Sequence, residues 1–267
     1  MLNSLKAIYR DRAPPRVKSA FRSVMRGSHR LGLTALAFRA VAKSAITANQ
    51  VARPSFFGDG FSTVHHIEFN EDDAFKASFA AAIDGIPPIL VWKDLIWRAH
   101  ICTWAAKQAL ALDEGDFVEC GVWYGVLSKT ICEYTDFANS GRDFYLVDSW
   151  GPLEGYHPSY STDIYAEVGK RFAAYKNVHM VRGMVPEVLA EVPSKKIAYL
   201  AIDMNSSQPE LATLERFYDR MVPGGIIYFD DYGWQFPELR RVVNQFFKDK
   251  PETLLHFPSG NSIVVKV

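Results

Sequence analysis

The clearest periodic signal in the chain begins at Ile96. From there Ile96, Trp97, Ile101, Trp104, Ala105, Ala109 and Leu112 recur at helical intervals. That spacing predicts a helix over 96–112 with one buried face. Downstream the pattern changes to short, continuous apolar runs. Those at 117–120, 144–147, 178–181, 198–202 and 226–229 read as buried strands. The stretches between them, 126–134, 164–175, 185–191 and 209–221, read as helices. Such alternation predicts an α/β fold, a doubly wound and mostly parallel sheet with right-handed crossovers. At the end, 254–257 and 262–267 flank Pro258, Ser259, Gly260 and Asn261, which predicts an antiparallel hairpin completing seven strands.

Upstream of this core domain, 96–267, two further segments are expected. Residues 51–95 carry Pro54, Gly58, Gly60 and the acids Glu68, Glu71, Asp72 and Asp73 beside His65 and His66. They read as a connecting and substrate-covering segment. Adjacent histidines point in different directions, so a solvated loop is expected there rather than a metal site. Residues 1–50 hold ten Lys/Arg and one acid, Asp11, a charge of +9 that the rest of the chain cancels. Within them Val17, Phe21, Val24 and Met25 share one helix face, with Arg16, Lys18, Arg22 and Arg26 on the others. This cationic amphipathic helix has three readings. It packs on its own domain or on a second subunit, it lies on anionic lipid through residues 1–43, or it is a transit peptide or nucleic-acid contact. No nucleic-acid motif accompanies the charge, and a nucleic-acid partner is not expected.

Composition narrows the classes. With 267 residues, 48% hydrophobic, the chain can bury a sizeable core without staples. Cys102, Cys120 and Cys132 are odd in number and lack metal-ligand spacing, which speaks against a zinc site or a disulfide framework. A reducing, cytoplasmic setting is expected. Arg39 and Lys43 interrupt the best apolar stretch, which starts at Leu31, so no run reaches the roughly 18 residues of a membrane span. Arginines recur through Arg30, unlike the short basic start of a secretory signal.

In an open parallel sheet, ligands bind beyond the carboxyl ends of the strands. The residues there are acidic. The first core strand runs into Glu119, Cys120, Gly121, Val122, Trp123, Tyr124 and Gly125, an E-x-G-x-x-x-G pattern. Its glycines let backbone approach a ligand, and the next helix offers free amides. The second ends in Asp148, a carboxylate suited to the two hydroxyls of a ribose. The G-x-G-x-x-G of a dinucleotide site is missing. Glu119 would repel phosphate but attract the cationic end of S-adenosylmethionine, which favours a methyltransferase over a dehydrogenase. The fourth and fifth strands end in Asp203 and in Asp230-Asp231. Aspartates after strands also cap helices. Three converging ones call for a compensating cation, and oxygen ligands suit Mg²⁺.

These residues resemble the macrocin-type sugar O-methyltransferases, the TylF-like branch of class I S-adenosylmethionine-dependent methyltransferases. The matching stretches are WRAHICTWAAKQAL, GDFVECGVWYG, FYLVDSW, VRGMVPEVL, AYLAIDMN, VPGGIIYFDDYGW and the terminal PSGNSIVVKV, in order from 97 to 267. The resemblance implies a Rossmann-like fold and S-adenosylmethionine as cofactor. The loop of Glu119, Cys120, Gly121, Tyr124 and Gly125, with Ser128, would cradle its methionine part. Asp148 and Ser149 would take the ribose, and Gly183 and Met184 the adenine. Asp203, Asp230 and Asp231 would hold Mg²⁺ or another divalent cation beside the sugar hydroxyls. Family members usually read D-G-D-x-Y after the fourth strand, whereas here the run is Asp203-Met204-Asn205-Ser206-Ser207. The first acid is kept and the second is Asn205, so metal binding is still expected, while the resemblance does not by itself imply a macrolide acceptor.

The expected acceptor is a sugar-containing small molecule or glycan. Asp203 and His157 are the candidate bases, and Trp150, Tyr156, Tyr160, Tyr232 and Trp234 are candidate walls of the acceptor pocket. A homo-oligomer, a dimer first of all, is expected. The alternatives are methylation of a phenolic or catechol product, a NAD-dependent oxidoreductase, and a non-catalytic membrane-associated binding protein.

Overall fold

A computed structural model describes residues 54–87, 92–152, 162–234 and 237–267. The basic helix expected within 1–50, together with Tyr156, His157 and Tyr160, lies outside them. Contacts divide the chain into two units. The described part of one comprises 54–56 and Ser62–His66. It is held by Ser55, whose N–H donates to the Thr63 carbonyl at 2.9 Å and whose hydroxyl donates to that of His65 at 2.6 Å. His65 and His66 are exposed.

The other unit, Phe57–Phe61 with Ile67–Val267, contains the core. The chain runs β1 (Phe56–Gly58), β2 (Phe61–Thr63), α1 (Asp73–Ile83), α2 (Ile96–Leu110), β3 (Asp116–Cys120), α3 (Val126–Tyr134) and β4 (Phe144–Asp148). It continues through α4 (Tyr165–Phe172), β5 (Val178–Arg182), β6 (Ile197–Ile202), α5 (Ser207–Phe217), β7 (Met221–Phe229), α6 (Pro237–Phe247), β8 (Leu255–His256) and β9 (Ser262–Val265). β1 and β2 form a two-stranded sheet, and the other seven strands line up as β5-β4-β3-β6-β7-β9-β8. β5 through β7 are parallel, and β9 and β8 close the edge antiparallel. Every residue of β6 is buried, as expected where both faces of a parallel sheet are covered.

Alternation along β3 decides what faces what. Val118 and Cys120 join the cluster that includes Leu214 and Phe217 of α5 and Val243 and Phe247 of α6. Phe117 and Glu119 point to the opposite face, where Phe117 meets the rings of Phe137, Phe144 and Tyr199. All three cysteines are buried and unbridged.

The β1–β2 hairpin had no counterpart in the expected elements, and three helical segments also differ from expectation. The acids at 71–73 begin helix α1: the Asp72 side chain accepts the N–H of Phe75 at 2.9 Å and caps it, and Phe75, Phe79 and Ala82 are buried. The segment expected over 185–191 is only a 3₁₀ turn at Glu187–Glu191, since Pro186 and Pro193 bracket it and proline disfavours helix in the residue before it. Helix α6, with Leu239, Val243 and Phe247 buried at four-residue spacing, had no counterpart in the expected elements.

Candidate active site

After β3 the chain turns through two left-handed glycines, Gly121 at φ 87° and Gly125 at φ 69°. A Cβ on Gly121 would sit 1.8 Å from the carbonyl oxygen of Asp203, and one on Gly125 would sit 2.6 Å from the Phe172 ring. The two glycines are therefore required by the packing of the protein on itself. Cys120 turns its thiol into the core, and its carbonyl accepts the Asp203 N–H at 2.8 Å. Tyr124 is buried, and its carbonyl accepts a hydrogen bond from Arg171 at 3.0 Å. Arg171 also donates to the carbonyls of Ala82 and Asp84, fastening the end of α1 to this loop.

Asp148 holds the loop from the next strand. Its Oδ2 accepts the N–H groups of Val122 at 2.7 Å and Trp123 at 2.8 Å, and its Oδ1 accepts that of Trp150 at 2.8 Å. A carboxylate has about four acceptor positions, so three are engaged by backbone. Its carbonyl accepts the N–H of Gly183 at 3.0 Å, bringing the Gly183-Met184 corner beside it, where Met184 is exposed. Ser149 lies between, its carbonyl accepting from Arg182. Trp150 is buried and donates to the Trp123 carbonyl, a role in holding the loop.

Glu119 is buried on the α3 side of β3, and its Oε2 has no hydrogen-bond partner among the described residues. Burial pushes its carboxyl up to about 8, against a lowering hydrogen bond from Ser128. Its carboxyl therefore holds a proton to higher pH than an ordinary glutamate does.

At the ends of β6 and β7, Asp203, Asp230 and Asp231 each present an oxygen within 4.8 Å of the others. Among the described residues, no donor bonds the Asp203 carboxylate. Burial first, then Asp230 and Asp231, raise its pKa well above the usual carboxylate range. Asp231 is pushed up to about 7 by burial and Asp230, opposed by Arg98. Asp230 is buried and accepts the Tyr228 hydroxyl at 2.6 Å, which in turn accepts from Asn261 at 2.9 Å. Arg98 of α2 donates to Asp230, and to Asp231 at 3.3 Å, while its Nε and Nη2 fork onto Asp59 at 2.8 and 2.9 Å. Glu210 of α5 is buried next to these acids and pushed up to about 8, with the backbone amides of Met204 and Asn205 bonded to it. Trp234 lies beside Arg98, 5.4 Å from guanidinium carbon to ring, whereas Tyr232 turns its hydroxyl to Asn244.

Arg98, Asp59, Glu210 and Arg171 were missed from sequence. Two of them left a trace. Arg98 lies on the helix face of Ile101, Cys102 and Ala105, where a charge is out of place, and Asp59-Gly60 between Phe57 and Phe61 is a hairpin signal.

This strand order, with acids at the carboxyl ends of the central strands beside a glycine turn, is the class I methyltransferase architecture. The family model for macrocin O-methyltransferase (TylF) matches residues 105–253, more than half of the chain. The chain belongs to that family and is an S-adenosylmethionine-dependent O-methyltransferase. Among solved structures it is similar to the O-methyltransferase NovP, at 20% identity and a TM-score of 0.56, covering 64% of this chain and 80% of NovP. It is similar too to CalS11, a TDP-rhamnose 3'-O-methyltransferase of calicheamicin biosynthesis, at 18% identity and a TM-score of 0.50, covering 75% and 96%. These likenesses are of fold. Comparison with curated protein sequences gives no match.

Proposed function

We propose that the enzyme transfers a methyl group from S-adenosylmethionine to a sugar hydroxyl, with Asp203, Asp230 and Asp231 holding Mg²⁺ or another divalent cation. The observation that carries this reading is the carboxylate trio at the ends of β6 and β7, next to the glycine turn after β3. Three hard oxygen donors that close together suit such a cation. The unpartnered buried Oε2 of Glu119 suits the cationic part of the cofactor. The sugar class is supported by family membership and by CalS11, whose name gives TDP-rhamnose as its substrate.

The reaction forms an oxygen–carbon bond, breaks the sulfonium carbon–sulfur bond and releases the hydroxyl proton. Asp203, Asp230 and Asp231 would hold the cation, whose positive charge would lower the pKa of the acceptor hydroxyl. Asp203, the acid of the trio that no donor among the described residues bonds, takes the proton; His157 is the second candidate. The Glu119–Gly125 loop, fixed by Asp148, orients the methyl donor, so the protein contributes mainly placement and electrostatics. In this reading Ser128, Ser149, Gly183 and Met184 keep their proposed places along the cofactor.

The basic segment 1–43 would bring the enzyme to anionic lipid, which favours a lipid-linked sugar. Among the described residues no helix is long and apolar enough to cross a membrane.

The test is calorimetric titration with S-adenosylmethionine and S-adenosylhomocysteine in Mg²⁺ and then in EDTA, followed by methyl transfer to nucleotide-linked deoxysugars and to catechols. Micromolar cofactor binding with sugar turnover that EDTA removes supports the assignment. Turnover of catechols alone moves the acceptor to phenolic products, and full turnover in EDTA removes the cation.

A further inference from the structure

The acid cluster already contains a cation of the protein's own. Arg98 is buried at 6% exposure, and its fork is divided between two parties: Nε and Nη2 on Asp59, Nη1 on Asp230 and Asp231. Asp59 sits at the tip between β1 and β2 in a left-handed conformation, φ 46°. The tip is closely packed, since a Cβ on Gly58 would lie 2.7 Å from the Asp94 carboxyl carbon. Three carboxylates, Asp59, Asp230 and Asp231, thus share one guanidinium, which does not reach the fourth, Asp203.

We propose that Arg98, clamped by Asp59, is the built-in counter-charge of the acid cluster and sets how strongly the cluster takes a divalent cation. Arg98 and Asp59 are positioning residues here, and the inference rests on reading the trio as a cation site. Two requirements conflict at Asp230 and Asp231. Without a counter-charge, buried like charges repel and protonate. With a full one, an entering cation meets a competitor for the same oxygens. Asp59 resolves the conflict by neutralising most of the Arg98 charge from the far side, so the arginine orients the carboxylates without repelling a second cation. Cation affinity is then governed by a residue that lies more than 140 positions from Asp203 and never touches the cation.

The test uses the full-length protein and Mn²⁺, whose free and bound forms are counted by electron paramagnetic resonance without reference to activity. Asp59→Asn keeps the shape of the contact and exposes the cluster to the whole Arg98 charge; it should weaken Mn²⁺ binding by the order of tenfold. Asp59→Asn with Arg98→Gln removes the pair as a neutral unit and should return Mn²⁺ affinity to the wild-type value or above it. Unchanged affinity in Asp59→Asn overturns the proposal while the cation site itself stands. Weakening that the double variant does not reverse overturns it too, since Asp59 would then act by another route. Failure of wild type to bind Mn²⁺, with binding gained in the double variant, would show Arg98 repelling the cation despite Asp59, and overturns both the proposal and the resident-cation reading. Binding in neither overturns both.

Discussion

The Asp148 carboxylate accepts the backbone N–H of Val122 at 2.7 Å, so the end of β4 fixes the turn after β3 before any cofactor arrives. Together with Trp123 and Trp150 it anchors three amides, one of them on a residue, Trp123, held at φ 48°. Asp148→Ala should therefore destabilise the cofactor-free protein by about 3 kcal/mol or more, the low end of the scale for two or three hydrogen bonds to a charged group. Thermal denaturation checks it. A carboxylate serving the ribose alone would leave the cofactor-free melting temperature unchanged.

Glu119 predicts a pH dependence of stability. Its folded pKa of about 8 exceeds the roughly 4.3 of an unfolded glutamate. Between these values the folded state holds a proton that the unfolded state has lost, so this group's contribution falls as pH rises from about 4 to 8. Glu119→Gln mimics the neutral form. It should match wild type near pH 4 and exceed it by several kcal/mol at pH 9, at about 1.4 kcal/mol per unit. Parallel denaturation curves at all pH values would show that folding leaves the Glu119 pKa unshifted.

The same proton bears on the proposed cofactor site. S-adenosylmethionine carries a sulfonium charge that S-adenosylhomocysteine lacks. If its charge draws the proton from Glu119, the preference for S-adenosylmethionine rises with pH, by about tenfold per unit at most, and levels off above about 8. Calorimetry in two buffers of different ionisation enthalpy counts the proton. Equal pH profiles for the two ligands would place the sulfonium away from Glu119.

Asp203→Asn should reduce turnover by at least about a hundredfold, within the range of a lost general base, with S-adenosylhomocysteine affinity within about threefold of wild type. One of its carboxylate oxygens lies within 4.8 Å of those of Asp230 and Asp231, so the substitution should fall on the acid cluster and leave cofactor binding in place. Normal turnover in this variant would pass the base role to His157.

Removal of residues 1–43, which carry all ten basic groups of the first 50, should abolish sedimentation with vesicles rich in anionic lipid and leave cofactor affinity intact. Vesicle binding that survives the deletion would return this segment to packing on its own domain.

The strands and most of the helices were legible in the sequence because both faces of the central sheet are dry. Runs such as Ile197–Ile202 have no polar position to blur them, and the acids that end the strands stand out by contrast. The α1 segment was less legible because Asp72, whose carboxylate caps the helix, looks from composition alone like part of an acidic loop. The 185–191 stretch failed in the opposite sense, its apolar spacing overruled by two prolines.

The sequence by itself determined the parallel α/β order, the acidic strand ends and the family. Local pattern suffices for these, because periodicity and turn residues act over a few positions. Only the tertiary structure decided how the charges are partnered. Arg98 meets Asp59 across 39 positions and Asp230 across 132, and Asp148 meets Val122 across 26. Such pairings arise from chain topology and from the cost of burying an unmatched charge, and neither is written in the residues nearby.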